Sequence, residues 1–247
     1  MTQPAETTKE QFLQSIRRSL GRTAGPPAVP YALLSDTTAD LEDQVNEARR
    51  RLEASRPRLM DRLAQVAAQQ DWNVHRAQGP EDAIGYILSL ADRLGIKQIV
   101  RTSQDVFGQV PLDTALVAQG VSLATAALED MGDRESVRAL ISEAGMGITG
   151  ADYAVAETGS VVLLPRKGLS RLASVVPPLH VALVRPQDVV ESLDDVFLMR
   201  RLDYHQSGGE MGSYLNFITG PSRTADIEQT LVIGVHGPRE VHMVLLG

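Results

Sequence analysis

The chain of 247 residues contains no cysteine. That excludes disulfide bridges, a thiolate nucleophile and any iron–sulfur cluster ligated by the chain's own sulfurs. Aromatic residues are also scarce, at 4%, so Leu, Val, Ile and Ala must supply the core. No apolar run approaches the roughly 18 residues that a membrane span requires. The opening Met1-Thr2-Gln3-Pro4-Ala5-Glu6 is polar and carries no apolar stretch of a secretion signal. The expectation is a cytoplasmic chain with no membrane span. Positive charge is in deficit, with 24 Lys and Arg against 31 Asp and Glu and a net charge of -7. A nucleic-acid partner is therefore not expected, because such affinity rests on phosphate neutralisation. The run Arg49-Arg50-Arg51 is flanked by Glu47 and Glu53 and reads as a solvated helix face.

Familiar catalytic signatures are missing as well. There is no GxGxxG or GxxxxGK[ST] at a strand–helix junction and no Gly-x-Ser-x-Gly elbow. The histidines, at 75, 180, 205, 236 and 242, show no i, i+4 or short-loop spacing, so no metal site is expected.

What remains suits one α/β domain behind a small N-terminal appendage: 43% hydrophobic and 22% charged residues build a core and keep it in solution. Phe12, Leu13, Ile16 and Leu20 fall at helical spacing within Thr7–Leu20, and the stiff Gly25-Pro26-Pro27-Ala28-Val29-Pro30 follows. Residues 1–35 read as this helix and connector, and residues 36–247 as the domain. A helical pattern runs from Asp36 to Gln70, with Pro57 breaking or kinking it. Apolar runs then alternate with helical segments. Strands are expected at Trp72–His75, Gln98–Arg101, Val121–Ala124 and Gly147–Thr149, with helices at Pro80–Leu94 and Arg134–Ala144. That alternation predicts βαβ units and a mostly parallel sheet. After residue 150 strands are denser: Tyr153–Ala156, Val161–Leu164, His180–Val184, Asn216–Thr219 and the closing Glu240–Leu246, some of them antiparallel. Helices are expected at Asp194–Tyr204 and Thr224–Ile233. His180 reads as an edge histidine.

The segment Ala151-Asp152-Tyr153-Ala154-Val155-Ala156-Glu157-Thr158-Gly159-Ser160 holds a carboxylate, hydroxyls and a glycine between two strands. Glu157 is a candidate base, nucleophile or ligand acceptor; it is equally a candidate anchor for the turn. Gly220-Pro221-Ser222-Arg223-Thr224 ends one strand and precedes the expected helix. A helix N-terminus there would bind an anion, with Ser222 or Thr224 as hydroxyl donor and Arg223 as charge partner, or would simply be capped. His236, in a glycine-rich turn, is the second proton-handling candidate.

Four ordered segments resemble the LUD domain of the lactate-utilisation protein C family: Gly147–Ser160, Val176–Val181, Phe217–Glu228 and Gly234–Pro238. The resemblance is close over residues 80–247. It implies a NagB/RpiA/CoA-transferase-like α/β core with a mixed, mostly parallel sheet and an N-terminal helical extension. It implies a cysteine-free subunit of an L-lactate-oxidising complex, working with two partner proteins that carry the Fe–S clusters. A small carboxylate such as lactate would lie against Thr158, Gly159, Ser160, Gly220, Ser222, Arg223 and Thr224, with Glu157 and His236 as catalytic candidates. A bound flavin or nucleotide, a homo-oligomer, a non-catalytic assembly role and an acyl-CoA-transferase-like use of Glu157 stay open.

Overall fold

The computed structural model describes residues 9–21, 36–126, 134–166, 171–209, 212, 214–225 and 231–247. By internal contact the chain divides into residues 1–40 and residues 41–247. In the first unit lies helix α1 (Lys9–Ser19), whose Phe12, Leu13, Ile16 and Leu20 are all exposed. The Pro-rich connector lies outside the described residues.

Helix α2 (Thr38–Ala54) starts where Thr37 and Asp40 exchange hydrogen bonds across its first turn. The long helix expected to Gln70 is two helices. The break falls at Ser55, and Pro57 sits in the first turn of α3 (Arg56–Gln69), where its missing N–H has no helical partner to lose. The chain then alternates as the pattern predicts: β1 (Asn73–Ala77), α4 (Pro80–Arg93), β2 (Gln98–Arg101), the short helices α5 (Val106–Gln109) and α6 (Leu112–Ala118), β3 (Ser122–Thr125), α7 (Arg134–Glu143) and β4 (Met146–Gly150). There follow the hairpin β5 (Tyr153–Val155) and β6 (Ser160–Leu163), α8 (Leu172–Val175), β7 (Leu179–Val184), a 3-10 turn at Pro186–Asp188, and β8 (Val189–Val190). Last come α9 (Leu193–Gln206), β9 (Asn216–Ile218), β10 (Arg223–Ala225), β11 (Leu231–Ile233) and β12 (Glu240–Leu246).

Six strands form one sheet in the order β1-β12-β7-β4-β2-β3, and every pairing in it is parallel. A second sheet, β8-β5-β6-β9, pairs antiparallel except between β5 and β8. This is the mixed, mostly parallel α/β core that was expected. The central strands explain the parallel layout: β7 is buried at all six positions, as a strand covered on both faces must be. One apolar cluster joins the sheet, the second sheet and α3 through Leu59, Leu63, Trp72, Val161, Val184 and Met243. Another packs α4, α5 and α6 on the opposite face through Ile87, Leu90, Leu112, Leu116, Ile148 and Val244.

The described ends of Thr224–Ile233 are strands, where a helix was expected. These strands, β10 and β11, are an antiparallel pair with Thr224 opposite Val232. The β-branched Thr224, Thr230, Val232 and Ile233 suit a strand better than a helix, and the apolar spacing there fits either period.

Candidate functional site

The β5–β6 turn and the segments around Gly220 and Gly234 meet along the last turn of α3. Gly159 is left-handed (φ 67), and a Cβ on it would come within 2.7 Å of the Ala67 amide nitrogen. A Cβ on Gly220 (φ 112) would overlap the Gln70 carbonyl oxygen. Arg223 forms an ion pair with Asp71. Thr158 donates to the Ser160 hydroxyl at 2.8 Å, and that oxygen lies 2.6 Å from the Thr219 hydroxyl. Ser222 donates its N–H to Pro238 and accepts one from Gly234 at its carbonyl; its hydroxyl accepts the His236 N–H at 3.3 Å. Six of the expected site residues (158, 159, 160, 220, 222 and 223) are thus brought together, with His236 attached through its backbone and Thr224 in β10.

Two things differ from the expectation. Among the described residues Gly220 is followed by strand β10 and not by a helix N-terminus, so no fan of helix amides faces a ligand there, and Arg223 is already paired with Asp71. The Glu157 side chain is exposed and accepts the Leu193 N–H at 3.4 Å, at the start of α9. The cluster also lies beside the residues that lead into β7 and β12, since Arg239 donates to Pro178 at 2.9 Å. That is the amino end of the parallel sheet. Ligands of open α/β sheets collect at the other end.

A cavity of about 580 Å³ opens there, beside the segments that follow β4 and β7. Asp152 and Tyr153 come from the chain leaving β4, and Gln187 from the turn leaving β7. Arg49 and Arg50 of α2 and Arg56 of α3 give one wall, and Leu52, Val190 and Met199 supply apolar surface. Asp152 is held rigidly. One oxygen accepts the Leu164 N–H at 2.7 Å and the other accepts from Arg166 at 2.8 Å. Arg56 is tied to the Pro186 carbonyl at 2.6 Å. Asp203 pairs with Arg200 at 2.7 Å. Arg49 has no partner among the described residues. Burial, reinforced by the Asp203 carboxylate, pushes the Tyr153 hydroxyl up to about 12, so it remains a proton donor at neutral pH.

Polar groups in the chain segments that follow β2, β4 and β7 are also engaged. Arg185 clamps Asp188 with two bonds of 2.8 Å. Burial raises the Asp188 pKa, and Arg185 opposes that shift. The Gln104 side-chain oxygen accepts from Thr102 and from the Gly150 amide, while its buried amide nitrogen has no partner.

His180 is not an edge histidine. It is fully buried in a central strand, 2.9 Å from the Thr149 hydroxyl through Nε2, with Nδ1 unpartnered. Burial first, then the neighbouring His242, pulls its pKa down to about 3. The signal was present in the sequence: a single polar residue inside Leu179–Val184, an otherwise apolar run, marks a group that must enter the core. The cavity-lining arginines gave no such signal, because α2 is distant in sequence from Asp152. Among the described residues no three His, Cys, Asp or Glu side chains converge as a metal site, and no helix is long and apolar enough to cross a membrane.

Residues 60–246 match the family model of the LUD domain. Lactate utilization protein C of Halalkalibacterium halodurans is 29% identical over 240 residues, which cover 93% of this chain and 94% of that protein. Lactate utilization protein C of Bacillus subtilis is 28% identical over 254 residues, covering 100% and 99%. The crystal structure of a duf162 family protein from Deinococcus radiodurans superimposes with a TM-score of 0.54 at 19% identity, covering 78% of this chain and 99% of that one. That last likeness is one of fold.

Proposed function

Because the chain belongs to the LUD domain family, we propose that it serves lactate utilisation as the cysteine-free component of a system that oxidises L-lactate to pyruvate. The observation that carries this reading is the end-to-end alignment with proteins named lactate utilization protein C. Lactate has a carboxylate to be fixed, and its oxidation to pyruvate breaks the hydroxyl O–H and the Cα–H bonds, releasing two protons, one to a base at the hydroxyl and one to solvent, together with two electrons. In the cavity beyond β4 and β7, the unpaired Arg49 supplies a guanidinium for the carboxylate. The Tyr153 hydroxyl and the Asp152 carboxylate line the same space; the carboxylate takes the proton, and the phenol orients the substrate oxygen. With no cysteine of its own, the chain hands the electrons to partner proteins whose Fe–S clusters accept them. A cytoplasmic location suits that exchange.

A second reading has its own support. Thr158, Ser160, Ser222 and Arg223 are engaged with other parts of the chain, as expected of a subunit whose polar motifs hold shape for assembly and do no chemistry. Glu157, as an exposed group bonded to an α9 amide, gives the transferase reading no comparable support.

The test has two arms. Deleting the gene should abolish growth on L-lactate, and the wild-type chain should restore it; undiminished growth of the deletion strain overturns the proposal. In a reconstituted lactate-dependent dye reduction with the partner proteins, Arg49→Ala should raise the half-saturating lactate concentration by about tenfold or more, the worth of one charge-assisted contact. An unchanged lactate dependence favours the assembly role.

A further inference from the structure

The cavity is much larger than a three-carbon acid needs. Its volume of about 580 Å³ lies in the range of sites for drug-sized and cofactor-sized ligands, roughly 300–1,000 Å³. Its lining is also divided in character. Leu52, Val190 and Met199 present apolar surface; the lining carboxylates Glu53, Asp152 and Asp203 are each paired with an arginine (Arg56, Arg166 and Arg200), which leaves Arg49 and Arg50 as the positive charge not matched by a lining acid. Lactate has one methyl group to set against that apolar surface. The remainder would face water, at a cost proportional to its area.

We infer that the cavity holds a phosphate-bearing ring compound of mononucleotide size, its ring on the Leu52, Val190 and Met199 surface and its phosphate on Arg49 and Arg50. A planar ring fills an apolar slot with little loss of conformational freedom, and a phosphate suits guanidinium groups at the rim. Among the described residues Arg49 forms no hydrogen bond or ion pair and Arg50 has an exposed contact to Glu47 as its one ion pair, so both are available. The site sits where open parallel sheets place nucleotides, beyond the carboxyl ends of the strands. The inference uses the same cavity as the functional proposal and rests on it in location, but it does not require lactate as substrate. A redox-active ring has a further merit under that proposal. Lactate oxidation releases two electrons together, whereas an Fe–S cluster accepts them singly, so a ring that receives two and passes them on one at a time matches donor to acceptor.

The experiment is a titration of the full-length chain by calorimetry with four probes: flavin mononucleotide, adenosine monophosphate, inorganic phosphate and L-lactate. A ring-bearing phosphate should bind at least about tenfold more tightly than inorganic phosphate. Arg49→Ala should weaken it by about tenfold, and the neutral Met199→Gln should weaken it while leaving phosphate unchanged. Binding of inorganic phosphate as tight as that of both mononucleotides, or no binding of either mononucleotide, overturns the inference. Arg239→Ala, remote from the cavity, is the control for general charge effects. Growth on L-lactate that depends on the gene, combined with blank mononucleotide titrations, would retain the function and sink this inference. Tight mononucleotide binding in a chain dispensable for lactate growth would do the reverse.

Discussion

Three glycine-to-alanine changes separate two physical costs that are combined at the β5–β6 turn. Gly208 is left-handed (φ 71) with open space around its α-carbon. Alanine there pays about 1–2 kcal/mol for a left-handed residue, offset by about 0.4–1 kcal/mol from a stiffer unfolded chain. The net loss is about 1.6 kcal/mol at most. Gly147 is the opposite case: its φ is ordinary, but a methyl group would overlap the Ala173 carbonyl oxygen and lie 3.1 Å from Pro177. Helix α8 must move off β4, which places the cost at the upper end of overpacking, about 3 kcal/mol. Gly159 carries both terms, with φ 67 and the Val66–Ala67 backbone at 2.7–2.9 Å from a built Cβ, so about 3–4 kcal/mol is expected. At about 2–4 °C per kcal/mol for a domain of this size, thermal melts should fall by at most about 6 °C for Gly208→Ala. The same scale gives about 6–12 °C for Gly147→Ala and about 6–16 °C for Gly159→Ala. Far-UV circular dichroism melts and urea midpoints at pH 7 measure all three. Equal losses at Gly159 and Gly208 would refute the claim that the turn's close approach to α3 carries energy. A Gly147→Ala loss within about 1 kcal/mol of zero would refute the packing of α8 on β4.

Acid should destabilise the protein through His180. Its folded pKa, about 3, lies below the ordinary 6.5, so between those values the unfolded chain binds the extra proton. Its contribution is fully present above pH 6.5 and is lost as pH falls toward 3; His242 shifts in the same direction through burial. His180→Gln should flatten the decline of the urea midpoint between pH 6 and 4, and an unchanged slope would argue against a buried neutral His180. Asp195→Ala should cost about 2 kcal/mol by urea denaturation, because Asp195 accepts the Ser192 and Glu191 amides at the start of α9 and pairs with Arg51. Arg223→Ala removes only an exposed pair with Asp71 and should change stability by no more than about 1 kcal/mol; a much larger loss would reveal a structural role beyond that pair.

Much of the fold was legible in the residue pattern. Helices such as Pro80–Arg93 and Arg134–Glu143 announce themselves by apolar spacing, and β7 and β12 by continuous apolar runs, because period and burial are properties of a local stretch. Short elements were not legible. The two-residue β8 and the helices α5 and α8 are too brief to show a period, and their form comes from what they pack against. The β10–β11 pair was misread because apolar positions three to four residues apart within ten residues do not distinguish a helix from a bent hairpin.

The sequence by itself determined that no thiolate chemistry is available, that a parallel α/β core would form, and that Gly147–Ser160 and Phe217–Pro238 are distinctive segments. Tertiary structure alone decided where those segments meet and which groups share a cavity. The glycines at 159 and 220 look like turn residues in the chain, but their necessity comes from the backbone of α3, which they approach more closely than any side chain would allow. Arg49, in what reads as a solvated helix face, comes to line the same space as Asp152 and Tyr153 from over a hundred residues away. Local pattern encodes period and propensity; it holds no record of which distant charges converge, and a binding site is a convergence.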